Sequence, residues 1–481
     1  MKVQADPDYL LLHLAPPVGR LNDPNGLLYQ DGVYHAFYQH SPLPPEKAVF
    51  WRHATGTDVS HWEDRGSAIA PMNWYDKDGC YSGSAFLTDD GEHEFFYTGN
   101  VKDTEGNREA YQCFFTSGKG GVFEKSPENP LISGPERGYT AHYRDPQVIE
   151  REGSLWMVLG AQREDGTGAV VVYRSADRRA WDFAGEIEFS DPALRSLGYM
   201  FECPLLLSLP DQESGLVKDV LIFCPQGVGS GGGQAGSADR CGYVVGTLAG
   251  LYFEVETPFS ELDAGFEFYA PQVFVNAPTL PGSALLMGWM GMPGEDAQPS
   301  VRQGWVHTLT YPRELTLRGG KLFQRFARQL DEVVPLRSFN PENDADWEGL
   351  AHCSRFRLRG TVDVSEPATL LLMSVGKNLR LTFSRDSVVV DRGRTRYKKP
   401  GAVRTCALPE ATVRTFDLLV DASTMELLID DGAASFTGRV FFATEERELL
   451  LTGPRFEGMP FSDVQVGTFG ESAGWGEETN V

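Results

Sequence analysis

Three short segments of this sequence each place one carboxylate beside an apolar, strand-like run. Asp23 lies in NDPNG (residues 22–26), Asp145 in YRDP (143–146) and Glu202 in FECP (201–204). Hydrolysis of a glycosidic bond needs two carboxyl groups in different protonation states. One attacks the sugar or activates water, and the other protonates the leaving oxygen. Three carboxylates gathered at one point could therefore carry out glycoside chemistry, and these three are the candidate catalytic residues.

The neighbours of Asp23 and Glu202 predict different roles for the two carboxylates. Asp23 is flanked by Asn22 and Asn25, whose amide donors would stabilise its charged form and keep its pKa low, as a nucleophile requires. Glu202 follows Phe201 in an apolar run, where loss of hydration would raise its pKa, as a general acid requires. The distance between the two carboxylates, which separates retaining from inverting enzymes, cannot be read from the sequence.

Asp145 directly follows Arg144, so the two are predicted to form an ion pair that keeps Asp145 charged. A charged Asp145 could bind sugar hydroxyls or stabilise an oxocarbenium-like transition state, and Arg144 could itself donate to hydroxyls. The segments also have a purely structural interpretation, because Asp-Pro and Asn-Gly are common in turns. That interpretation is weaker for Glu202, since an unpaired glutamate in an apolar run is rare.

The elements that would bring these carboxylates together are strands joined by tight turns. An Asp-Gly turn separates two apolar runs within residues 27–38, and similar strand–turn–strand phrases follow at 84–97 and 147–159. Five such units open near residues 23, 82, 145, 202 and 269, with spacings of 59, 63, 57 and 67 residues. This repeat predicts a five-bladed β-propeller in which each blade delivers the start of its inner strand to one mouth of a central channel.

The remainder of the chain predicts a second domain, so that the whole protein is expected to be all-β. Residues 1–320 are assigned to the propeller, which would be the catalytic domain, and residues 321–345 to a linker. Beyond the linker, short alternating strands and another Asp-Gly turn at 431–432 predict a C-terminal β-sandwich over residues 346–481.

Composition excludes several classes of function. The formal net charge of −24 argues against general binding of nucleic acids and of anionic membranes. A short apolar stretch at the start, the lack of about 18 consecutive apolar residues, and seven scattered cysteines together predict a cytoplasmic protein. The nine histidines show no metal-ligand spacing, so neither a metal nor another cofactor is expected, and the oligomeric state is left open.

Together these motifs closely resemble glycoside hydrolase family 32, the group of invertases, fructanases and sucrose-6-phosphate hydrolases. The family's Asn-Asp-Pro-Asn-Gly, Arg-Asp-Pro and Glu-Cys motifs are all present, and further landmarks extend the resemblance over essentially the whole chain. These landmarks are FYQ (37–39), HAT (53–55), SGS (82–84), FYAPQ (268–272), GWM (288–290) and PREL (312–315). The resemblance implies a five-bladed propeller followed by a β-sandwich, in agreement with the spacing of the repeats.

The resemblance also implies roles for individual residues. Asp23 is similar to the family's nucleophile, Glu202 to its acid/base and Asp145 to its transition-state stabiliser, and the family's retention of configuration implies a fructosyl-enzyme intermediate on Asp23. The implied contacts of the fructose pocket are Asn22, Gln39, Ser82, Arg144 and Tyr269. Trp51 and Trp289 are further candidate substrate contacts because indole rings can stack on sugars, although such tryptophans are also common in cores.

Three cationic residues depart from the family pattern. Arg20 and Lys47 stand at or near positions where the family usually has tryptophan, and Arg52 replaces a usual glycine. These cations favour an anionic substrate such as a sugar phosphate, because guanidinium and ammonium groups bind phosphate. The alternative is a solvated rim, or cations that pair with acidic neighbours.

These observations predict a retaining β-fructofuranosidase that hydrolyses sucrose, sucrose 6-phosphate or short β-fructosides, with a small sugar as its partner. A fructosyltransferase would use the same site but pass fructose to another sugar. A non-catalytic carbohydrate-binding propeller is a third hypothesis, and the intact carboxylates argue against it. A related five-bladed pentosidase is a fourth, and the Asn-Asp-Pro-Asn-Gly and Glu-Cys motifs argue against that one.

Overall fold

The computed structural model describes residues 6–42, 49–117, 121–228, 239–340, 353–374, 376–442 and 460–470. Within these ranges the regular structure is almost entirely β-strand, with one α-helix, α1 (Gln329–Val333), and two 3-10 helices, Pro192–Ser196 and Pro299–Gln303. The all-β class predicted from the sequence is confirmed. In the same ranges, no helix is long and apolar enough to cross a membrane.

Residues 19–326 form strands that are joined by turns of the kind that the Asp-Gly phrases predict. The strands are β1 (Gly19–Gln30), β2 (Val33–Ser41), β3 (Phe50–Gly56), β4 (Glu63–Ile69), β5 (Cys80–Leu87), β6 (His93–Lys102), β7 (Arg108–Ser117), β8 (Phe123–Lys125), β9 (Tyr139–Arg151), β10 (Ser154–Arg163), β11 (Gly168–Ser175), β12 (Asp182–Glu186), β13 (Glu188–Phe189), β14 (Met200–Pro210), β15 (Val217–Gln226), β16 (Gly242–Ala249), β17 (Tyr252–Glu261), β18 (Tyr269–Val273), β19 (Ala284–Met290), β20 (Trp305–Val306), β21 (Thr308–Leu309), β22 (Arg313–Arg318) and β23 (Lys321–Phe326).

These strands form five sheets, most of whose neighbouring strands are antiparallel. Sheet I has the order β20-β1-β2-β3-β4, sheet II β5-β6-β7-β8, and sheet III β9-β10-β11-β12. Sheet IV has the order β14-β15-β16-β17-β13, and sheet V β18-β19-β22-β23 with β21 beside β19. The strands β1, β5, β9, β14 and β18 contact one another in chain order, and β18 also contacts β1. We call these five the first strands of their sheets.

Every first strand carries a bulge near its start, where two of its residues face one residue of the neighbouring strand. The bulged pairs are 22–23 opposite Gln39, 81–82 opposite Thr98, 145–146 opposite Leu159, 203–204 opposite Phe223 and 270–271 opposite Gly288. At three bulges the first residue has a positive φ and precedes a proline: Asp145 (67°), Cys203 (49°) and Ala270 (46°). Because a bulge bends the strand and re-aims its side chains, the five strand ends are shaped in a similar way.

Residues 321–326, which the sequence analysis assigned to the linker, instead form β23. This strand pairs with β22 along its whole length and completes sheet V. Leu322 and Phe326 are buried, whereas Lys321 and Arg325 are exposed. This alternation is the pattern of a half-buried strand, so the predicted boundary at residue 320 was wrong. The end of the predicted linker, residues 341–345, lies outside the described residues.

Beyond α1 the described residues form ten further strands in two sheets. These strands are β24 (Arg337–Ser338), β25 (Arg355–Asp363), β26 (Ala368–Ser374), β27 (Lys377–Phe383), β28 (Ser387–Arg394), β29 (Val403–Ala407), β30 (Val413–Asp421), β31 (Thr424–Ile429), β32 (Ala434–Arg439) and β33 (Phe461–Thr468). Sheet VI has the order β24-β33-β25-β30-β31-β32, and sheet VII β26-β27-β28-β29. The two sheets share one apolar core, which includes Leu358 and Phe416 of sheet VI and Leu370 and Val390 of sheet VII.

Buried ion pairs join sheet V and the segment before β1 to sheet VI. Arg313 of β22 donates through Nε to Glu426 of β31 at 2.8 Å and through Nη1 to Asp263 at 3.0 Å. His13 lies between Asp421, at 2.9 Å from Nδ1, and Glu426, at 2.8 Å from Nε2. Burial alone would lower the pKa of His13, but its bonds to the two carboxylates raise it to about 9. A charged imidazolium therefore lies in this interface at neutral pH.

Candidate active site

The predicted catalytic carboxylates meet around Cys203, in the bulge of sheet IV. The backbone N–H of Cys203 donates to Asp145 Oδ2 at 3.0 Å, and its Sγ lies 3.9 Å from Asp23 Oδ2. Glu202 is the preceding residue of the same strand. Asp145 and Asp23 lie 58 and 180 positions from Cys203 in the sequence. The fold thus brings them to one point, where the bulges of three sheets end.

A chain of hydrogen bonds runs from Arg20 to Asp23 through side chains of sheets I and II. Ser82 Oγ donates to Asp23 Oδ2 at 2.5 Å, and Gln39 Nε2 donates to Ser82 Oγ at 2.6 Å. Asn22 Nδ2 donates to Gln39 Oε1 and, at 3.2 Å, to Asp23 Oδ1. The chain begins at Arg20, whose Nη1 donates to Asn22 Oδ1 at 2.7 Å.

The two ends of this chain set the direction of every hydrogen bond in it. Arg20 can only donate and ionised Asp23 can only accept, so the amides of Asn22 and Gln39 have a single orientation that satisfies all partners. Both amides and Ser82 are almost fully buried. An inverted amide would leave buried polar atoms without partners, at a cost of about 1–3 kcal/mol each. The chain therefore holds its donors pointed toward Asp23.

The pKa of Asp23 is raised above its ordinary value, contrary to the prediction. Loss of hydration has the largest effect, and the charge of Glu202 acts in the same direction. The bonds from Ser82 and Asn22 and the charge of Arg20 lower the pKa but do not outweigh burial. The prediction from adjacent amides was wrong because sequence neighbours do not reveal how much water a carboxylate loses on folding.

Glu202 is held by two polar partners rather than by the apolar shell that was predicted. Its Oε1 accepts hydrogen bonds from Arg144 Nη2 at 2.5 Å and from Arg144 Nε at 3.1 Å. Its Oε2 accepts a bond from the hydroxyl of Tyr269 at 2.7 Å. Phe201 packs into an apolar cluster formed by sheets III and IV. Successive side chains of a strand point to opposite faces, so Phe201 does not form the surroundings of Glu202.

Asp145 is buried, and its backbone N–H donates to Thr98 Oγ1 at 3.0 Å. Arg144 Nε lies 3.8 Å from Asp145 Oδ2, but the guanidinium directs its hydrogen bonds at Glu202. Burial raises the pKa of Asp145, Arg144 opposes that rise, and the charges of Glu202 and Asp23 reinforce it. The predicted ion pair with Arg144 is therefore present, but it does not keep the pKa of Asp145 low, because burial outweighs it.

Arg144 is nearly buried and contacts two residues besides the carboxylates. Its Nη1 donates to His142 Nδ1 at 3.0 Å, and its Nη2 donates to Gln226 Oε1 at 3.2 Å. Burial acts to lower the pKa of Arg144, but the charges of Glu202 and Asp145 hold it above its usual range. Arg144 is thus a permanent cation within the carboxylate cluster.

Four residues around the site were not predicted from the sequence. Thr98 contacts Asp145, and His142 and Gln226 both contact Arg144. Asp296 contacts Arg20. Only His142 had a local signal, since it precedes Arg144 by two positions on β9 and so lies on the same face of the strand. Thr98 lies within β6, Gln226 ends β15 and Asp296 lies in a loop, and no motif marks any of the three.

Neither predicted tryptophan offers a ring face to a sugar. Trp51 has no exposed surface and packs among aromatic residues of sheets I and II, with its indole N–H bonded to Tyr81 O at 2.9 Å. Trp289 is 2% exposed, and the guanidinium of Arg20 lies 5.1 Å from the centre of its ring. Stacking needs an accessible face, so the burial of both rings argues against contact with a sugar, and substrate contact by Trp51 and Trp289 stays a prediction. Trp51 supports the strand that carries Ser82, and Trp289 supports Arg20.

Two of the three cations predicted to bind an anion are paired with carboxylates. Arg52 forms a two-pronged ion pair with Asp64, with both N–O distances at 2.6 Å. Arg20 donates to Asp296 at 2.8 Å. These acidic partners favour the alternative of paired cations, and the binding of an anion by Arg20 and Arg52 stays a prediction. The third, Lys47, lies outside the described residues.

Comparison with known proteins identifies the family of the chain. Residues 13–325 match the family model described as the glycosyl hydrolases family 32 N-terminal domain. The chain is 37% identical over 455 residues to sucrose-6-phosphate hydrolase of Bacillus subtilis (strain 168), covering 91% of this chain and 90% of that protein. It is also 37% identical over 465 residues to sucrose-6-phosphate hydrolase of Klebsiella pneumoniae, covering 93% of this chain and 92% of that protein.

Solved structures are similar over nearly the whole chain. The sucrose-6-phosphate hydrolase from Lactobacillus gasseri has a TM-score of 0.85 at 26% identity, covering 98% of this chain and 94% of that chain. A variant of the Bombyx mori GH32 beta-fructofuranosidase in complex with sucrose has a TM-score of 0.79 at 26% identity, covering 97% and 95%. The family predicted from the motifs is confirmed: the chain belongs to glycoside hydrolase family 32.

Proposed function

We propose that this protein is a retaining β-fructofuranosidase that hydrolyses sucrose and sucrose 6-phosphate in the cytoplasm. The observation that carries the proposal is the arrangement around Cys203. There, Asp23 receives hydroxyl and amide donors, and Glu202 is held by an arginine and a tyrosine. The relatives from Bacillus subtilis and Klebsiella pneumoniae, which are sucrose-6-phosphate hydrolases, support the choice of substrates.

In the first half-reaction, Asp23 attacks the anomeric carbon of the fructosyl unit while Glu202 donates a proton to the glycosidic oxygen. The bond to the leaving glucosyl oxygen breaks, and an ester bond to Asp23 forms. In the second half-reaction, Glu202 takes a proton from water, and the water oxygen attacks the anomeric carbon and releases Asp23. Two inversions at the same carbon restore its original configuration.

The neighbours of the two carboxylates suit these roles. Ser82 and Asn22 donate to Asp23 and hold its oxygens in a fixed position, which favours attack from one direction. The hydroxyl of Tyr269 donates to Glu202 Oε2 in this structure. A hydroxyl can rotate, so Tyr269 can also accept a bond from Glu202 when that residue carries the proton for the leaving oxygen.

Asp145 is proposed to stabilise the positive charge that develops on the fructosyl ring. Burial and its acidic neighbours raise the pKa of Asp145 in the free protein. The ionised carboxylate is therefore stabilised more by the cationic fructosyl ring of the transition state than by the neutral ring of the ground state. The fructosyl hydroxyls are proposed to bind the polar groups around the three carboxylates, namely Asn22, Gln39, Ser82, Arg144 and Tyr269.

We also infer that sheets I–V are the five blades of a propeller and that sheets VI and VII are the two layers of a C-terminal sandwich. The contacts that run from β1 through β5, β9, β14 and β18 and return to β1 support a closed ring of inner strands. The similarity to the solved structures over nearly the whole chain supports the same architecture. With β23 included, the propeller domain extends to residue 326, and the sandwich is assigned residues 346–481.

Fructose release from sucrose and sucrose 6-phosphate, measured side by side, tests the proposed function. We expect hydrolysis of both sugars, and a loss of about 100-fold or more in kcat for Asp23→Asn and for Glu202→Gln. Asp165→Asn is the matched control, because Asp165 is exposed and its partner is Arg195. Reactions run with methanol should give methyl β-D-fructofuranoside if configuration is retained.

Two results would contradict the proposal. Full activity of Asp23→Asn would show that Asp23 is not the nucleophile. The methyl α-anomer as the main methanol product would show inversion instead of retention. Product analysis at high sucrose separates hydrolysis from transfer. A main product in which fructose is joined to a second sugar would establish a fructosyltransferase.

A further inference from the structure

An arginine outside the predicted site lies at the same end of sheet II as Ser82. Arg108 opens β7, and its Nη1 donates to Asn100 Oδ1 at 2.9 Å. Its guanidinium carbon lies 5.4 Å from the centre of the Tyr81 ring. Tyr81 is the residue before Ser82 in the bulge of sheet II. Arg108 therefore contacts the residue that precedes Ser82, whose side chain binds the proposed nucleophile.

Arg108 differs from the other arginines near the site because, among the described residues, no carboxylate lies within ion-pair distance of it. The paired arginines are Arg20 with Asp296, Arg52 with Asp64 and Arg144 with Glu202. In the part of the chain that the structure describes, Nε and Nη2 of Arg108 also make no hydrogen bond. In a chain with 67 acidic and 43 basic residues, a half-buried arginine without an acidic partner keeps its charge available for a ligand.

We infer that Arg108 faces the side of the site from which the leaving sugar departs. In the proposed mechanism, Glu202 protonates the leaving oxygen, so the leaving sugar is placed next to Glu202. Arg144, which binds Glu202, also binds His142, and the ring of Tyr199 packs 5.9 Å from that of His142. Burial has the largest effect in lowering the pKa of His142 to about 4, followed by the charges of Arg144 and Arg108, so the charge of Arg108 acts on the ring that Arg144 binds.

We propose that Arg108 binds a phosphate group carried by the leaving sugar and so sets the preference of the site for a phosphorylated substrate. The inference rests on the proposed function, which places the leaving sugar beside Glu202. Nε and Nη2 form an edge of the guanidinium that can bind two phosphate oxygens at once. Asn100 and Tyr81 hold the group in one position, which reduces the entropy lost on binding.

The test is the ratio of kcat/KM for sucrose 6-phosphate to kcat/KM for sucrose. We expect Arg108→Gln to lower this ratio by about 10- to 100-fold, the effect of losing a charge-assisted hydrogen-bonding partner. Arg108→Lys should give an intermediate ratio, since lysine keeps the charge but not the two-pronged geometry. The matched control is Arg52→Gln, which removes a paired guanidinium and should leave the ratio as in the wild type. A ratio for Arg108→Gln within twofold of the wild type would overturn the proposal.

Binding to a catalytically impaired variant separates this inference from the proposed function. Asp23→Asn and the double variant Asp23→Asn/Arg108→Gln are titrated with sucrose 6-phosphate and with sucrose in a calorimeter. Weaker binding of the phosphorylated sugar alone in the double variant supports a phosphate contact at Arg108. Equal affinities in the two variants overturn it. If the wild type releases fructose from neither sugar, the proposed function fails, and the titration still decides the role of Arg108.

Discussion

The hydroxyl of Ser82 is predicted to keep the proposed nucleophile ionised at mildly acidic pH. Ser82→Ala removes the 2.5 Å hydrogen bond to Asp23 Oδ2. It takes only one oxygen atom out of the buried site and leaves the other side chains as they are. Burial already raises the pKa of Asp23, and Ser82 is the strongest of the contacts that lower it. Without the hydroxyl, the pKa of Asp23 should rise further.

The size of the effect follows from the type of hydrogen bond. A bond to a charged group contributes about 1.5–3 kcal/mol, and one pKa unit corresponds to about 1.4 kcal/mol, so the expected rise is about one to two units. Asp23 must be ionised to attack, so activity is lost as the pH falls through its pKa. The acid limb of the variant should therefore lie about one to two pH units above that of the wild type.

The assay is kcat/KM for sucrose from pH 3.5 to 8, because this parameter reports ionisations of the free enzyme. Asp23 and Asp145 lie close together and each affects the protonation of the other, so the shift is read between variants rather than assigned as an absolute value. Ser84→Ala is the matched control, since Ser84 lies on the same strand and binds the backbone N–H of Val148 instead. Its acid limb should coincide with that of the wild type.

One result would refute this reasoning. If Ser82→Ala lowers kcat/KM equally at every pH and leaves the acid limb in place, Ser82 positions the substrate or the strand but does not stabilise the charge of Asp23. A loss that is largest at low pH and small on the plateau is the expected pattern. A moderate loss on the plateau is also expected, because Gln39 Nε2 loses its acceptor when the hydroxyl is removed.

Three further changes test the rest of the structure. Arg20→Gln removes the permanent donor that orients Asn22. The value of kcat/KM should therefore fall about tenfold for both sugars, and the ratio of the two kcat/KM values should not change. Unchanged activity would show that the hydrogen-bond chain has no role. Trp51→Ala should lower the free energy of unfolding by about 3–5 kcal/mol in urea titrations, because a fully buried ring is lost. A raised KM with normal stability would instead indicate that Trp51 contacts the sugar. His13 binds a proton more tightly when folded, so its contribution to stability is complete below pH 6.5 and disappears as the pH rises through about 9. Urea titrations at pH 7 and pH 10 should show this loss in the wild type and a smaller one in His13→Gln.

The features that the sequence predicted correctly depend on short stretches of chain. Asp-Gly turns and alternating apolar residues are local signals, and they indicated the strands from which sheets I–III begin. The spacing of the repeats then indicated which distant segments occupy equivalent positions. The motifs around Asp23, Asp145 and Glu202 were sufficient to identify the family, because each is a contiguous segment whose residue types can be read directly.

The properties that the sequence did not reveal depend on residues far away in the chain. Arg20 and Asp296 are 276 positions apart, so the pairing that occupies this arginine has no signal near either residue. The burial of Trp51 depends on aromatic side chains of a neighbouring sheet. Strand β23 was assigned to a linker because its two charged residues resemble a polar connection until the partner strand shows which face is covered.

The sequence by itself therefore determined which carboxylates are present, the strands that carry them and the family to which they belong. Only the tertiary structure decided how those groups ionise, which cations are already paired, and which rings are buried. The physical reason is that turn and strand preferences act between neighbours in the chain. Hydration and electrostatic energy depend instead on every group within a few ångströms, whatever its position in the sequence.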